Sequence, residues 1–401
     1  MKRSESLTVA QAAEILGVRR ETLYAYVSRG LLLPDRTAGP NGGRRSHFDR
    51  RQVERLAARH RRGGRAGSLE VRLDTELTLL DAAGRLFYRG RDVRTLATTM
   101  APERVAELLW GAAPGRWQLP EPDSDALASA VAALPGGAQP LDRIAVGLVA
   151  LAALDPDRSA RDPQHLHDVG RRSMLAAALA LPRQRELPGR PSLTEIVWSF
   201  ASDRAPGPAE LRAMSAALVL MADHELAAST LAARVAASTW CDPYLAVVAG
   251  LSAVNGVLHG QSGLSAVALL QRAERDGAGP ATKALPAGAV PGLGHRVYAA
   301  ADPRCDALLD LLPELDRSRW SLVEATMESV SRATGQEPNV DFALAAFTFL
   351  ARLRPDTPLA VFAVARIAGL VAHIAEEYGH RLRFRPRAVY VGPEPLDPDD
   401  Q

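Results

Sequence analysis

At 401 residues the chain exceeds the usual size of one compact unit, so two or three folding units are expected, one with a large buried core. Apolar residues make up 47% of it, yet no run approaches about 18 uninterrupted apolar residues and no charged-then-apolar leader opens it, so an unexported cytoplasmic protein with no membrane partner is expected. Net charge is only +2, but residues 1–65 hold 15 Lys and Arg against 6 Asp and Glu while the remainder holds 33 against 40, so a polyanionic partner is expected for the basic head alone.

In chain order, Leu7 to Leu16 puts Val9, Ala12, Ala13 and Leu16 on one helical face, with Thr8 available as the cap and Gly17 as the stop. A second helix from Arg20 to Arg29 buries Leu23 and Val27, and the short Gly17-Val18-Arg19 connection forces the two to cross sharply, as in a helix-turn-helix. The Gly- and Arg-rich stretch from Arg36 to His47 predicts a hairpin or wing, and Gln52 to Arg59 a third helix. Residues 1–62 are therefore read as one small domain and 63–68, dense in glycine and without apolar periodicity, as a linker. After it, Val71, Leu73, Leu77 and Leu79 alternate with polar residues, and Leu86 and Tyr88 resume the alternation beyond Asp81-Ala82-Ala83-Gly84, predicting short strands and a turn. From about Val93 to His380 the chain is Ala- and Leu-rich with helical periodicity broken at proline clusters, a mainly α body without internal repeats.

Three segments within that body concentrate glycine, histidine, proline and aspartate where a plain bundle would carry apolar periodicity. They are Asp223-His224-Glu225 with Ala228-Ser229-Thr230 and His259-Gly260; Gly294-His295-Arg296-Val297-Tyr298 through Asp302-Pro303-Arg304; and Pro338-Asn339-Val340-Asp341. Glycines beside a histidine permit the close approach and unusual dihedrals that aim a side chain into a cleft. Singly each has a bland explanation: a histidine beside glycine more often caps or fills a polar niche, and Asp341 alone reads as a helix N-cap. Cys241 and Cys305 lie too far apart for a disulfide framework or a metal motif, so no metal is expected.

Together and in this order, the three segments resemble the citrate synthase family, and Tyr88-Arg89-Gly90 and Arg385-Pro386-Arg387 extend the resemblance over roughly residues 69–395. The resemblance implies a two-subdomain helical fold over 69–401, the large part about 69–260 with 366–401 and the small part about 261–365. It implies an enzyme condensing acetyl-CoA or propionyl-CoA with oxaloacetate, needing no cofactor beyond the thioester substrate. Asp341 would take the proton from the acyl group, His259 would donate to the enolate oxygen, and His295 would polarise the ketone and protonate the alkoxide. His224, Arg304 and Arg366 would hold the carboxylates, and Arg385 would do so across a homodimer interface.

The sequence departs from the family's habit in three places. Gln261-Ser262-Gly263-Leu264 stands where Gly-Ala-Asn-Glu is common, Ala227 where Asn is frequent, and Ala299 where a basic residue often meets the CoA phosphate. The head resembles the winged helix-turn-helix of the MerR and excisionase-like group, through Thr22-Leu23-Tyr24-Ala25-Tyr26, Gly30-Leu31-Leu32 and Arg44-Arg45-Ser46-His47-Phe48. That implies DNA contacts from Arg20, Tyr24, Arg44 and Arg45. Two functions stay open, an acyl-CoA-condensing enzyme and a transcription regulator that uses the body as a metabolite sensor.

Overall fold

The computed structural model describes residues 6–16, 18, 20–28, 32–38, 44–54, 73–81, 83–187, 189–257, 259–285, 292–295, 297–298, 301–380 and 384. The chain divides into two compact units, Met1–Asp74 and Thr75–Gln401. Gly17, the 63–68 segment, Arg296, Ala299 and Arg385 lie outside the described residues.

In the first unit, strand β1 (Ser6–Thr8) leads into helix Val9–Leu16, helix Arg20–Ser28 follows, and β2 (Asp35–Ala38) and β3 (Arg44–Asp49) pair as an antiparallel hairpin. β3 lies between β1 and β2, and residues 50–54 are helical. The first helix starts two residues later than the apolar pattern predicts, because Leu7 and Thr8 pair with Phe48 and His47 of β3. Thr8 still caps it: the Gln11 amide donates to the Thr8 hydroxyl at 3.4 Å, and the Gln11 side chain accepts the Thr8 amide at 2.9 Å. Ala12, Ala13, Leu16 and Leu23 close on Leu7, Leu32, Phe48 and Val53, a core that unites both helices with the hairpin. Val9 and Val27 pack at its edge.

The second unit opens with the antiparallel sheet β4 (Thr78–Leu80), β5 (Leu86–Tyr88) and β6 (Arg91–Asp92). Leu86 and Tyr88 face inward as the alternation requires, but Leu79 is 57% exposed and Thr78 is buried in its place. Polar demand inverts the strand, since the Thr78 hydroxyl donates to Asp223 Oδ2 at 2.6 Å in the interior. The prolines that interrupt the helical pattern start helices: Pro140 and Pro208 are first-turn residues, and Pro120 precedes Glu121–Ala132.

The central element is helix Thr357–His380, long and apolar enough by length and composition to cross a membrane, with 94% of its most apolar window buried inside the protein. Helices Pro102–Trp110, Pro163–Leu179, Ala228–Ser238 and Pro243–Val254 pack around it. Where it passes Asp223 the backbones nearly touch: a Cβ on Gly369 would stand 2.2 Å from Asp223 Oδ1 and 2.6 Å from the Ala222 carbonyl, so only glycine fits. A smaller separate core, Leu269, Ala273, Ala281, Leu293 and Val330, joins helices Ser262–Asp276, Ala278–Lys283 and Arg317–Thr334.

Candidate active site

Six of the seven expected body residues converge, each delivered by the end of a helix, a loop or the central helix. His224 sits in the turn after helix Pro208–Leu220, between buried Asp223 and Glu225, whose φ of 52° is left-handed. The Glu225 amide donates to Asp223 Oδ2 at 3.0 Å, which holds this turn. His259 follows helix Pro243–Val254 and shares a 2.9 Å hydrogen bond between Nε2 and the Ser229 hydroxyl. His295 lies in a loop whose Gly292 (φ 80°) and Gly294 (φ 66°) take left-handed dihedrals. This loop is stitched to the segment before Asp341: Gly294 donates to the Glu337 carbonyl at 2.8 Å, Asn339 donates to that of Gly292 at 2.9 Å, and the Asn339 side chain donates to that of Gly294 at 2.8 Å.

Asp341 is the second residue of helix Val340–Leu350, and Asn339 is its cap, accepting the Asp341 amide at 2.9 Å. The bland reading of Asp341 as the cap is thereby corrected, and its carboxylate is released for other work. Arg304, 3% exposed, is gripped by Asp302 through Nε at 3.0 Å and Nη2 at 2.9 Å. Arg366 comes from the middle of the central helix, 1% exposed; its Nε donates to the Met221 carbonyl at 3.1 Å while its Nη1 has no hydrogen-bond partner among the described residues. A buried guanidinium with an unmade bond is costly unless an anion completes it.

The groups meet ring against ring. His224 stands 5.0 Å from His295 between centroids, edge to face, and its Nε2 meets the Tyr298 hydroxyl at 2.9 Å. Phe362 presents its ring to His259 at 5.2 Å and lies under the Arg366 guanidinium at 4.6 Å. His295 Nε2 is 3.5 Å from Arg304 Nη2. The Val297 amide donates to His295 Nδ1 at 3.1 Å, so the neutral ring carries its proton on Nε2.

Electrostatics follow from burial and the two guanidinium groups. Burial, then the Arg366 and Arg304 charges, pushes His259 down to about 4, and burial with Arg304 does the same to His295. His224 too is held well below the ordinary histidine range, by burial first and then by the Arg304 and Arg366 charges. All three are neutral hydrogen-bonding groups near pH 7. Burial lifts Asp341 up to about 6 against the opposing pull of Arg304, giving a carboxylate more basic than a solvated one. The arrangement combines a base, neutral donors and paired cations suited to a dicarboxylate.

The citrate synthase C-terminal domain family matches residues 70–387, and a helix-turn-helix domain family matches residues 6–61. The chain belongs to the citrate synthase family. Citrate synthase from Saccharolobus solfataricus is 30% identical over 355 residues, covering 80% of this chain and 93% of that one. The 2-methylcitrate synthase 2 of Corynebacterium glutamicum is 29% identical over 341 residues, covering 77% and 89%. With citrate synthase 2 of Bacillus subtilis identity is 36%, but over 197 residues, 47% of this chain and 53% of that protein. Among solved structures, citrate synthase from Thermoplasma acidophilum, held in a ternary complex with carboxymethyl coenzyme A and oxaloacetate, superposes with a TM-score of 0.69 at 25% identity, covering 81% of this chain and 95% of that one.

Within this family member, several residues essential to the geometry carry no assignment from sequence. Asp302, Tyr298 and Ser229 lie inside a motif and Ser262 inside a departure from it, so those stretches were their signal, but Thr78 carries none beyond being polar in an apolar setting. Ala227, where Asn is frequent, leaves helix Ala228–Ser238 with no side-chain cap, a loss worth about 1 kcal/mol. Gln261 turns back onto Asn255, donating to its carbonyl at 2.7 Å and its side-chain oxygen at 3.0 Å. In the head, Arg20 and Tyr24 are exposed one turn apart on helix Arg20–Ser28, and Arg44 and Arg45 lie in β3 opposite Ala38 and Thr37.

Proposed function

We propose that the body condenses acetyl-CoA or propionyl-CoA with oxaloacetate, giving citrate or 2-methylcitrate and CoA. Asp341 removes a proton from the acyl α-carbon. His259, whose Nε2 accepts from Ser229, presents Nδ1–H to the thioester oxygen as negative charge gathers there. The α-carbon attacks the ketone carbon of oxaloacetate, a carbon–carbon bond forms, and the ketone oxygen takes a proton from His295 Nε2. Water then cleaves the carbon–sulfur bond, leaving a carboxylate and free CoA. His224, Arg304 and Arg366 hold the oxaloacetate carboxylates, and Arg385 from a second copy completes the clamp, making the homodimer the active form. Substrate-binding and catalytic parts fall to a large subdomain of about 69–260 with 366–401 and a small one of about 261–365, both in the cytoplasm.

Asp341 carries this reading. A protein that only senses a 2-oxo dicarboxylate gains nothing from a half-buried carboxylate beside its anion pocket, since that charge repels the ligand. Self-association is supported by Val149, Leu154, Val235, Trp240 and Leu245, large apolar side chains exposed on, or just beyond the end of, helix Pro243–Val254 and the two helices packed against it, Pro140–Leu154 and Ala228–Ser238. The deciding experiment is free-thiol release on mixing the protein with acyl-CoA and oxaloacetate. Asp341→Ala and His259→Ala should each lower the rate by about a hundredfold or more; an undiminished rate in either variant refutes the assignment.

The second reading, a DNA-binding regulator with the body as sensor, is favoured by the head's charge and by exposed Arg20 and Tyr24. The winged helix-turn-helix of residues 1–62, joined by the 63–68 linker to the body at 69–401, binds a palindromic DNA site as a dimer, its second helix in the major groove. Mobility shifts at low salt test this, and Arg44→Ala or Arg45→Ala should weaken binding as lost phosphate contacts do. A failure to retard any genomic fragment removes the DNA claim without touching the enzyme.

A further inference from the structure

Tyr298 lies among three groups of the candidate site. Its hydroxyl is 2.9 Å from His224 Nε2, its ring centroid is 4.6 Å from that of His295 and 5.5 Å from that of His224, and the Arg304 guanidinium carbon stands 5.8 Å from its centre. The side chain is 5% exposed, and the turn between β4 and β5 backs it, a Cβ on Gly84 coming within 3.9 Å of its Cδ1. Burial first raises the phenol above its ordinary range, so it keeps its proton at neutral pH.

A buried phenol proton needs an acceptor. Arg304 can only donate. His295 has its Nδ1 occupied by the Val297 amide and its proton on Nε2, so it too has only a donor to offer. Of the described groups that Tyr298 meets through this bond and these ring contacts, His224 Nε2 is the one with a lone pair to give, and the phenol donates to it. Burial and the two guanidinium groups keep His224 neutral, with one ring proton, and that proton is then on Nδ1. The backbone beside this ring is fixed as well: the Tyr88 hydroxyl donates to the Asp223 carbonyl at 2.9 Å and accepts the Asp223 amide at 3.2 Å.

We propose that Tyr298 is a positioning residue for the 2-oxo acid: its hydroxyl donates to His224 Nε2, which fixes the imidazole as the Nδ1–H tautomer and makes Nδ1–H the atom offered to a substrate carboxylate. The inference rests on the reading of His224 as a residue that holds oxaloacetate, and it goes beyond that reading by naming the ring nitrogen that binds and the residue that selects it. The opposite tautomer would leave Nδ1 with only a lone pair, which repels an anion. A hydroxyl donating to Nε2 also strengthens the donor across the ring, because hydrogen bonds in series polarise one another. Tyr298 thereby supplies a neutral donor where a third buried cation beside Arg304 and Arg366 would be costly.

The test reads the tautomer directly, from the two ring-nitrogen NMR shifts of His224 in the full chain carrying isotope-labelled histidine, at neutral pH and without ligand, with His224→Gln identifying the signals. His224 should show a protonated Nδ1 and an unprotonated Nε2. Tyr298→Phe removes one oxygen and keeps the ring against His295 and Arg304; in it the pattern should reverse or average, and the Kd for oxaloacetate in calorimetry should rise by about tenfold. A protonated Nε2 in the wild type, visible before any variant is made, overturns the proposal, and so does a His224 pattern unmoved by Tyr298→Phe. A purely structural phenol would alter melting and leave the tautomer in place, which is that second overturning result. If the wild type neither binds oxaloacetate nor releases CoA, the function fails while the tautomer still decides whether Tyr298 sets His224.

Discussion

The Asp302 carboxylate accepts the backbone amide of Val340 at 3.1 Å, so the residue that grips Arg304 also holds the start of the helix bearing Asp341. Burial works against its charge, but the Arg304 guanidinium and these amide bonds hold Asp302 below the usual carboxylate range. Asp302→Ala leaves Arg304 buried and unpaired, and should cost about 3–5 kcal/mol in denaturant unfolding. Asp302→Asn keeps an acceptor for Val340 and should cost less, yet lower turnover by about a hundredfold through misplacement of both groups. Equal stability of the two variants would contradict this division.

Arg366 separates binding from folding. Its Nη1 has no hydrogen-bond partner among the described residues, so Arg366→Met removes an incompletely paired buried charge and should leave unfolding stability within about 1 kcal/mol of wild type or raise it. The same change removes a charge-assisted bond to the 2-oxo acid, so oxaloacetate affinity should fall by at least about tenfold, read by calorimetry or by KM. Unchanged affinity would remove Arg366 from the clamp.

The pH profile has a defined sign. Asp341 titrates at about 6 in the fold, so kcat/KM should fall as pH drops through that value, while His259 and His295 stay neutral until about 4. Stability behaves differently for the two kinds of group. The histidines' folded values lie below their unfolded value of 6.5, so their contribution is complete above that pH and is lost as pH falls toward 4. Asp341 is raised above its unfolded 3.8, so it destabilises the fold progressively as pH rises from 3.8 through about 6, the cost levelling at about 3 kcal/mol above that. Asp341→Asn should therefore be more stable than wild type at pH 8 and lose that advantage by pH 4; an advantage constant across that range would argue against a buried, raised carboxyl.

Leu264 bears on the choice of acyl group. Leu264 packs half-buried on the main core where the family commonly has an acidic residue, so propionyl-CoA and acetyl-CoA should give specificity constants within about two hundredfold, the upper worth of one methylene. A larger preference for acetyl-CoA would reject it.

Legibility from sequence tracked the kind of signal. Histidine and aspartate beside glycine and proline announced His259, His295 and Asp341, because loops that break helical periodicity stand out in an apolar helical chain. The head was readable from the spacing of Ala12, Ala13, Leu16 and Leu23, all now in its core. The strand at Thr78 was misread on its inward face, since alternation ranks leucine above threonine for burial and cannot foresee a carboxylate waiting inside. Ser229 and Ser262 lie in stretches that stand out, yet their partners were not legible, because each bonds to a residue 30 positions away.

That hidden carboxylate leads to a final prediction about what fixes His224. Asp223 Oδ2 accepts from the Thr78 hydroxyl at 2.6 Å, from the Glu225 amide at 3.0 Å and from His373 Nε2 at 3.4 Å. His373 in turn takes Arg234 Nη1 on Nδ1 at 2.7 Å, which puts its proton on Nε2, toward Asp223. Arg234 is fully buried and pairs with Glu377 at 2.9 Å, so the chain from Glu377 to Thr78 is one polar network inside an apolar core. Thr78→Val withdraws a donor from a buried carboxylate and should cost about 1–3 kcal/mol, while Thr78→Ser keeps the hydroxyl and should cost less. Because Thr78 and His373 share one acceptor oxygen, the double variant with His373→Gln should depart from additivity by about 0.5 kcal/mol or more in unfolding titrations. Strict additivity would mean that the two donors act on Asp223 independently, and that the turn holding His224 does not depend on the network as a unit.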